Sequence, residues 1–164
     1  MNARLLVAGI GNIFLGDDAF GIEVIKRLQE RPLPEDVVVK DFGIRSYDLA
    51  YALMESWDLV VLVDALPRGG APGTLYTLEP QLPGTEMPPV LDAHSMDPVS
   101  VLQLVRALGG ACPNLILVGC EPASVEEDAE GKFGLSPPVT AAVDEAIRVI
   151  EELMFRARSQ KTAA

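Results

Sequence analysis

Four short runs of valine, isoleucine and leucine, with almost no polar residues inside them, punctuate this chain. Runs of this kind are typical of parallel strands covered on both faces, because a strand with one face in water alternates apolar and polar residues. The runs are residues 5–10, 37–39, 59–63 and 115–118. We therefore predict the central strands of a parallel sheet, with an additional edge strand at 74–78 after a turn-rich segment.

The segments between the runs carry apolar residues at helical spacing. Such stripes begin at Ala19, Tyr47 and Val99, and a longer one follows Ser136, which offers an N-cap, and Pro137, which suits a first helical turn. Alternating strands and helices predict an α/β fold: a three-layer α/β/α sandwich around a mostly parallel sheet of about five strands, with one antiparallel strand possible at an edge.

The size of the chain indicates how many domains it forms, and its charge indicates which classes of partner are disfavoured. With 164 residues, of which 49% are hydrophobic, one domain over residues 1–155 is expected, followed by a frayed tail over 156–164. The net charge is −11, from 13 basic and 24 acidic side chains, which disfavours nucleic acid and anionic membranes as partners.

The two cysteines are too few for a disulfide framework, and the sequence shows neither a signal peptide nor a membrane-length apolar run. These features predict a cytoplasmic protein, and we expect a monomer. Cys120 closes an apolar run beside Glu121, a setting that should raise its pKa and disfavour it as a nucleophile.

Acidic side chains follow the predicted strands. Asp41, Asp64 and Glu121 come after the second, third and fourth runs, and ligands of parallel α/β sheets gather at the carboxyl ends of the strands. Asp17 and Asp18 lie between the first strand and its helix. Either one alone would suit a helix start, where a carboxylate complements the helix dipole, and this role is expected mainly for Asp17.

A metal site is one chemical possibility at this edge. Asp18, Asp64 and the sole histidine, His94, would supply two carboxylates and an imidazole, an incomplete shell that suits nickel or zinc. Taken singly, a strand-end aspartate is as often a cap or an ion pair, and a lone histidine is usually incidental. Asp92 and Asp97 are better interpreted as turn and capping residues.

A nucleotide- or phosphate-binding module is the alternative suggested by Gly9 and Gly11, which follow a strand and precede a helix. The pattern departs from a phosphate cradle because Phe14 and Leu15 intervene and the Asp17–Asp18 pair would repel a pyrophosphate.

The same residues resemble the hydrogenase maturation endopeptidases. Matching features are Gly9-Ile10-Gly11-Asn12, the acidic pair before Gly21, Asp64-Ala65, His94-Ser95 and the segment beginning Leu135-Ser136-Pro137. The resemblance spans roughly residues 4 to 155, and the combination is more specific than any one motif.

This resemblance implies an endopeptidase that removes the C-terminal extension from the nickel-loaded large-subunit precursor of a nickel-iron hydrogenase. It implies that Asp18, Asp64 and His94 contact nickel supplied by the substrate, a site that zinc or another divalent ion could occupy in vitro. It also implies aspartic-type catalysis, for which the candidate residues are Asp18, Asp41 and Asp64. Two routes stay open: a carboxylate such as Asp41 or Asp18 acts as the general base, or the metal activates the carbonyl or a water. A noncatalytic nickel chaperone would share the same ligands.

Overall fold

The fold was analysed in a computed structural model, which describes residues 2–80, 97–123 and 133–163. Its sheet has five strands in the order β2-β1-β3-β5-β4. The first four of these run parallel, and β4 pairs antiparallel to β5 at the edge. The strands are β1 (Leu5–Ile10), β2 (Val37–Gly43), β3 (Leu59–Ala65), β4 (Leu75–Leu78) and β5 (Leu115–Cys120).

Helices cover both faces of this sheet, so the predicted mostly parallel α/β/α sandwich is confirmed. A short 3-10 helix at Gly16–Ala19 leads into the first α-helix. The α-helices are α1 (Phe20–Gln29), α2 (Ser46–Leu53), α3 (Pro98–Ala107) and α4 (Pro137–Ala163).

The strand side chains alternate between two separate cores. Leu5, Val7, Val61 and Val63 face α1 and α4. The intervening strand residues face α2 and α3; they include Leu6, Ala8, Val60 and Leu62. Burial on both faces explains why the central strands read as unbroken apolar runs.

Glycines allow α1 to approach the sheet closely. A Cβ on Gly21, in the first turn of α1, would stand 2.1 Å from the carbonyl oxygen of Val63 and 2.4 Å from that of Ile10. A Cβ on Gly9 would stand 2.4 Å from Cγ1 of Ile25. Gly9 and Gly21 thus serve the packing of α1 against the strands, a structural requirement independent of any phosphate.

Strand β2 is longer than its apolar run predicted, because it continues through the polar residues Lys40 and Asp41 to Gly43. The register against β1 shifts near its end, where Gly9 pairs with Asp41 but Ile10 pairs with Gly43. The extra residue in this bulge is Phe42, whose ring is fully buried in the core beneath α2 and α3. Phe42 therefore fills the core.

The prediction of a frayed tail from residue 156 was wrong, because α4 continues to Ala163. Arg158 pairs with Asp36 at 3.2 Å, and Lys161 contacts the carboxylate of Asp58 at 2.6 Å. The hydrogen bond from Lys161 is the main reason why the pKa of Asp58 is lowered. These long-range contacts hold the last turns of the helix against the amino-terminal edge of the sheet. Over the ranges given above, no helix is both long and apolar enough to cross a bilayer.

Candidate active site

The loop after β1 folds back on itself around Asp18. The carboxylate of Asp18 accepts a hydrogen bond from the backbone N–H of Asn12 at 2.9 Å. The fold-back requires glycine at position 11, where φ is +151° and a Cβ would stand 2.0 Å from the carbonyl oxygen of Asp18. The Gly-x-Gly-Asn motif thus determines where Asp18, which is half-buried, lies at the carboxyl edge of the sheet.

Asp18 and Asp64 lie on elements that pack against each other. The 3-10 helix that carries Asp18 contacts β3, and Asp64 is the second-last residue of that strand. Gly21 reinforces this arrangement by packing against the carbonyl of Val63, the neighbour of Asp64. The sequence-based prediction that both carboxylates serve one edge of the sheet is consistent with this packing.

Asp41 lies at the same edge, on β2. Its Oδ1 accepts a hydrogen bond from the N–H of Gly43 at 2.7 Å, and its backbone carbonyl accepts one from Arg45 at 2.6 Å. The carbonyl of Gly43 in turn accepts a hydrogen bond from the N–H of Gly11 at 3.0 Å. The loops that carry Asp41 and Asp18 are therefore bonded directly to each other.

The three aspartates do not by themselves form a metal site. Across the described ranges, no three His, Cys, Asp or Glu side chains lie close enough to hold one ion. Strand alternation gives a reason: Asp64 follows Leu62 on the face of α2 and α3, whereas Asp41 follows Val39 on the face of α1.

His94 and Asp92 lie outside the described residues, so the predicted ligand set of Asp18, Asp64 and His94 stays a prediction. The described chain resumes at Asp97, whose side chain accepts a hydrogen bond from the N–H of Ser100 at 3.0 Å and caps α3. The capping role predicted for Asp97 is confirmed.

Asp17 lies in the first turn of the 3-10 helix, as expected of a helix-start residue, but it does not cap a helix. Its carboxylate, only 3% exposed, does not cap α1, which has no side-chain cap. Instead it accepts hydrogen bonds from the backbone N–H of Ala123 at 2.8 Å, and from the N–H and the hydroxyl of Ser136 at 2.7 and 2.8 Å. Ser136 does precede α4 directly, as predicted, but its hydroxyl binds Asp17. Asp17 therefore joins the 3-10 helix to the segment after β5 and to the start of α4.

Glu121 is a second buried carboxylate with a structural role. It accepts hydrogen bonds from the backbone N–H groups of Arg68 and Gly69 at 2.7 and 2.8 Å, and from the hydroxyl of Tyr76 at 3.1 Å. The hydrogen bond from Arg68 is the largest of the effects that lower the pKa of Glu121. The carboxylate stays charged and fixes the loop between β3 and β4 to the end of β5.

Cys120 is a poor nucleophile, as predicted. Its thiol is fully buried. Burial, followed by the negative charges of Asp17 and Glu121, raises its pKa to about 12. A thiol that holds its proton so strongly is a poor nucleophile at neutral pH.

Sequence reasoning missed the partners of both buried carboxylates. The Asp17–Ser136 contact spans most of the chain, and no local pattern signals it. For Glu121 a signal was present, because the turn-rich Arg68-Gly69-Gly70 segment offers consecutive N–H groups that can surround an anion.

Comparisons with known proteins show which family the chain resembles. A family model described as hydrogenase maturation protease matches residues 22–153. The hydrogenase 2 maturation protease of Escherichia coli K12 is 31% identical over 149 residues, covering 90% of this chain and 88% of that protein. The coenzyme F420 hydrogenase subunit delta of Methanothermobacter thermautotrophicus is 32% identical over 154 residues, covering 91% and 93%.

Solved structures agree with the sequence relatives. The hydrogenase maturating endopeptidase HybD from E. coli has a TM-score of 0.74 at 30% identity, covering 94% of this chain and 93% of that one. The [NiFe] hydrogenase maturation protease HycI from Thermococcus kodakarensis has a TM-score of 0.67 at 26% identity, covering 93% of each chain. Both the sequence and the fold therefore establish that this chain belongs to the hydrogenase maturation protease family.

Proposed function

We propose that this protein is the endopeptidase that removes the C-terminal extension from the nickel-loaded large-subunit precursor of a nickel-iron hydrogenase. The observation that carries the proposal is family membership over most of the chain, joined to carboxylates at the carboxyl edge of the sheet. The nucleotide-binding alternative gains no support, because Gly9 is explained by the packing of α1 and Gly11 by the turn that folds back onto Asp18.

Asp18 and Asp64 are proposed to contact the nickel together with His94. Two points support this division of roles: the elements that carry Asp18 and Asp64 pack on each other, and carboxylate with imidazole is a donor set that suits nickel. The ion belongs to the substrate, and its presence reports that the precursor is ready to be cut. Zinc or another divalent ion would occupy the same contacts in vitro.

Asp41 is proposed as the general base. It lies on β2, at the same edge of the sheet as the elements that carry Asp18 and Asp64. The hydrogen bond from Gly43 orients the carboxylate through Oδ1. Asp41 would accept a proton from water as the water oxygen adds to the scissile carbonyl carbon. When the C–N bond breaks, the proton passes to the leaving amine.

Aspartic-type chemistry is further supported by the state of the cysteine nearest this edge. Cys120 is buried and its pKa is raised to about 12, so a covalent thioester route through it is disfavoured. The proposed setting is the cytoplasm, where reduced thiols such as the unpaired Cys112 and Cys120 persist.

The direct test mixes the purified protein with nickel-loaded and with nickel-free precursor and follows the mass of the large subunit. We expect loss of the C-terminal tail from the nickel-loaded precursor alone. Stoichiometric nickel binding with no change in subunit mass would instead show a metal chaperone. Equilibrium binding of a nucleotide, again without cleavage, would revive the nucleotide-binding alternative.

A further inference from the structure

Two groups of large apolar side chains are exposed on segments that adjoin the elements of the candidate active site. The first group follows β1 and precedes α4; the rings of Phe14 and Phe133 meet edge to face at 5.5 Å, although the two residues are 55% and 73% exposed. Ile13, beside Phe14, is exposed as well. Aromatic rings that contact each other yet remain in water are typical of binding surfaces.

The second group of exposed apolar side chains follows β2. Ile44 follows β2, and Tyr47 and Tyr51 are one turn apart on α2, so their side chains share one face of that helix. The hydrogen bond from Gly11 to Gly43 joins the loop of the first group to the loop of the second. Asp18, on the 3-10 helix, follows the first of these joined segments, and Asp41, near the end of β2, precedes the second.

The charge of this edge indicates what fits there. The carboxylates of Asp18 and Asp41 lie along it, whereas the charge of the nearby Asp48 is offset by Arg45, 3.4 Å away. A second copy of this chain would bring the same acidic edge against itself, on a protein whose net charge is −11. Charge complementarity therefore favours a partner that is positively charged at its centre and apolar around it.

We propose that Ile13, Phe14 and Phe133 in the first group, and Ile44, Tyr47 and Tyr51 in the second, dock the precursor through an apolar segment that bears positive charge. This inference rests on the proposed function and adds the surface that recognises the substrate. The apolar groups exclude water from the nearby carboxylates, which strengthens the attraction of the carboxylates for the positive group. Docking on this surface does not require nickel, since the contacts are apolar side chains and a positive group of the precursor segment itself.

The test measures the affinity of immobilised nickel-free precursor for the wild-type protein and for Phe133→Ser, Tyr51→Ser and Phe155→Ser. Phe155 is a matched control: it is 71% exposed, against 73% for Phe133, and lies far along α4, about 27 Å from its start at 1.5 Å per residue. We expect Phe133→Ser and Tyr51→Ser each to weaken binding about tenfold, and Phe155→Ser to stay within about twofold of wild type. Added salt should weaken wild-type binding.

Several outcomes would overturn the docking proposal: no binding by the wild type, unchanged affinity of both surface variants, or an equal loss in Phe155→Ser. So would a dimer of the protein alone that Phe133→Ser dissociates in sedimentation. Cleavage of nickel-loaded precursor by the wild type is scored separately. Docking that depends on these side chains without any cleavage removes the proposed activity and keeps the surface. Cleavage with unchanged KM in both variants keeps the proposed activity and removes the docking surface.

Discussion

The carboxylate of Asp17 accepts hydrogen bonds from both the backbone N–H and the hydroxyl of Ser136, a residue 119 positions further along the chain. Asp17 is adjacent to Asp18, so the same short helix carries a buried carboxylate that holds the fold together and a half-buried one at the candidate active site. The acidic pair thus divides into a structural residue, Asp17, and a residue proposed to act in the active site, Asp18.

This division predicts that Asp17→Ala lowers the free energy of unfolding by about 2 to 4 kcal/mol. The substitution removes three hydrogen bonds of a buried carboxylate, and an intramolecular hydrogen bond contributes about 0.5 to 1.5 kcal/mol. Urea denaturation checks the prediction. The control is Asp144→Ala, which removes an exposed carboxylate 3.4 Å from Arg27 and should change stability by less than about 0.5 kcal/mol. Equal stabilities for the two variants would contradict the structural role.

Asp18→Asn, Asp64→Asn and His94→Ala are each expected to abolish cleavage of the nickel-loaded precursor. Each removes one proposed contact to the nickel, while asparagine at position 18 keeps an oxygen that can accept the hydrogen bond from Asn12. Melting temperatures should therefore stay close to that of the wild type. Mass spectrometry of the large subunit reads out cleavage, and a fully active His94→Ala variant would remove the nickel-contact assignment of that residue.

Glu121 should make the protein more stable at neutral pH than in acid. Its pKa in the folded state is lowered, mainly by the hydrogen bond from Arg68, so its contribution is complete above the unfolded value of 4.5. The contribution is lost as the pH falls through the lower folded pKa. Urea denaturation of wild type and Glu121→Gln at a series of pH values should show a difference in stability that shrinks in acid. A difference that is constant with pH would rule out this origin.

The two cysteines should differ in reactivity. Cys112 is exposed, whereas Cys120 is buried and its pKa is raised to about 12. Alkylation of the native protein with iodoacetamide near neutral pH should therefore give one adduct by mass spectrometry, and the urea-unfolded protein should give two. Rapid modification of Cys120 in the native state would show that its thiol is accessible and would reopen a covalent mechanism.

Much of the fold could be predicted from local patterns, because each pattern has a local cause. The central strands are apolar throughout since both of their faces are buried, and the stripes after Ala19 and Ser136 are helical since they repeat at the helical period. The strand that was underestimated, β2, continues through Lys40 and Asp41, where polar residues conceal an extended backbone held by pairing with β1.

The sequence by itself determined the layered fold and the acidic residues at the carboxyl ends of the strands. Only the tertiary structure decided that Asp17 binds Ser136, that Glu121 holds the loop at Arg68, and that α4 continues past residue 156 through its ion pairs. The physical reason is the distance along the chain over which each interaction acts. Strand and helix periodicity arise from neighbours along the chain, whereas the partner of a buried charge is set by which distant segments the packed sheet brings together.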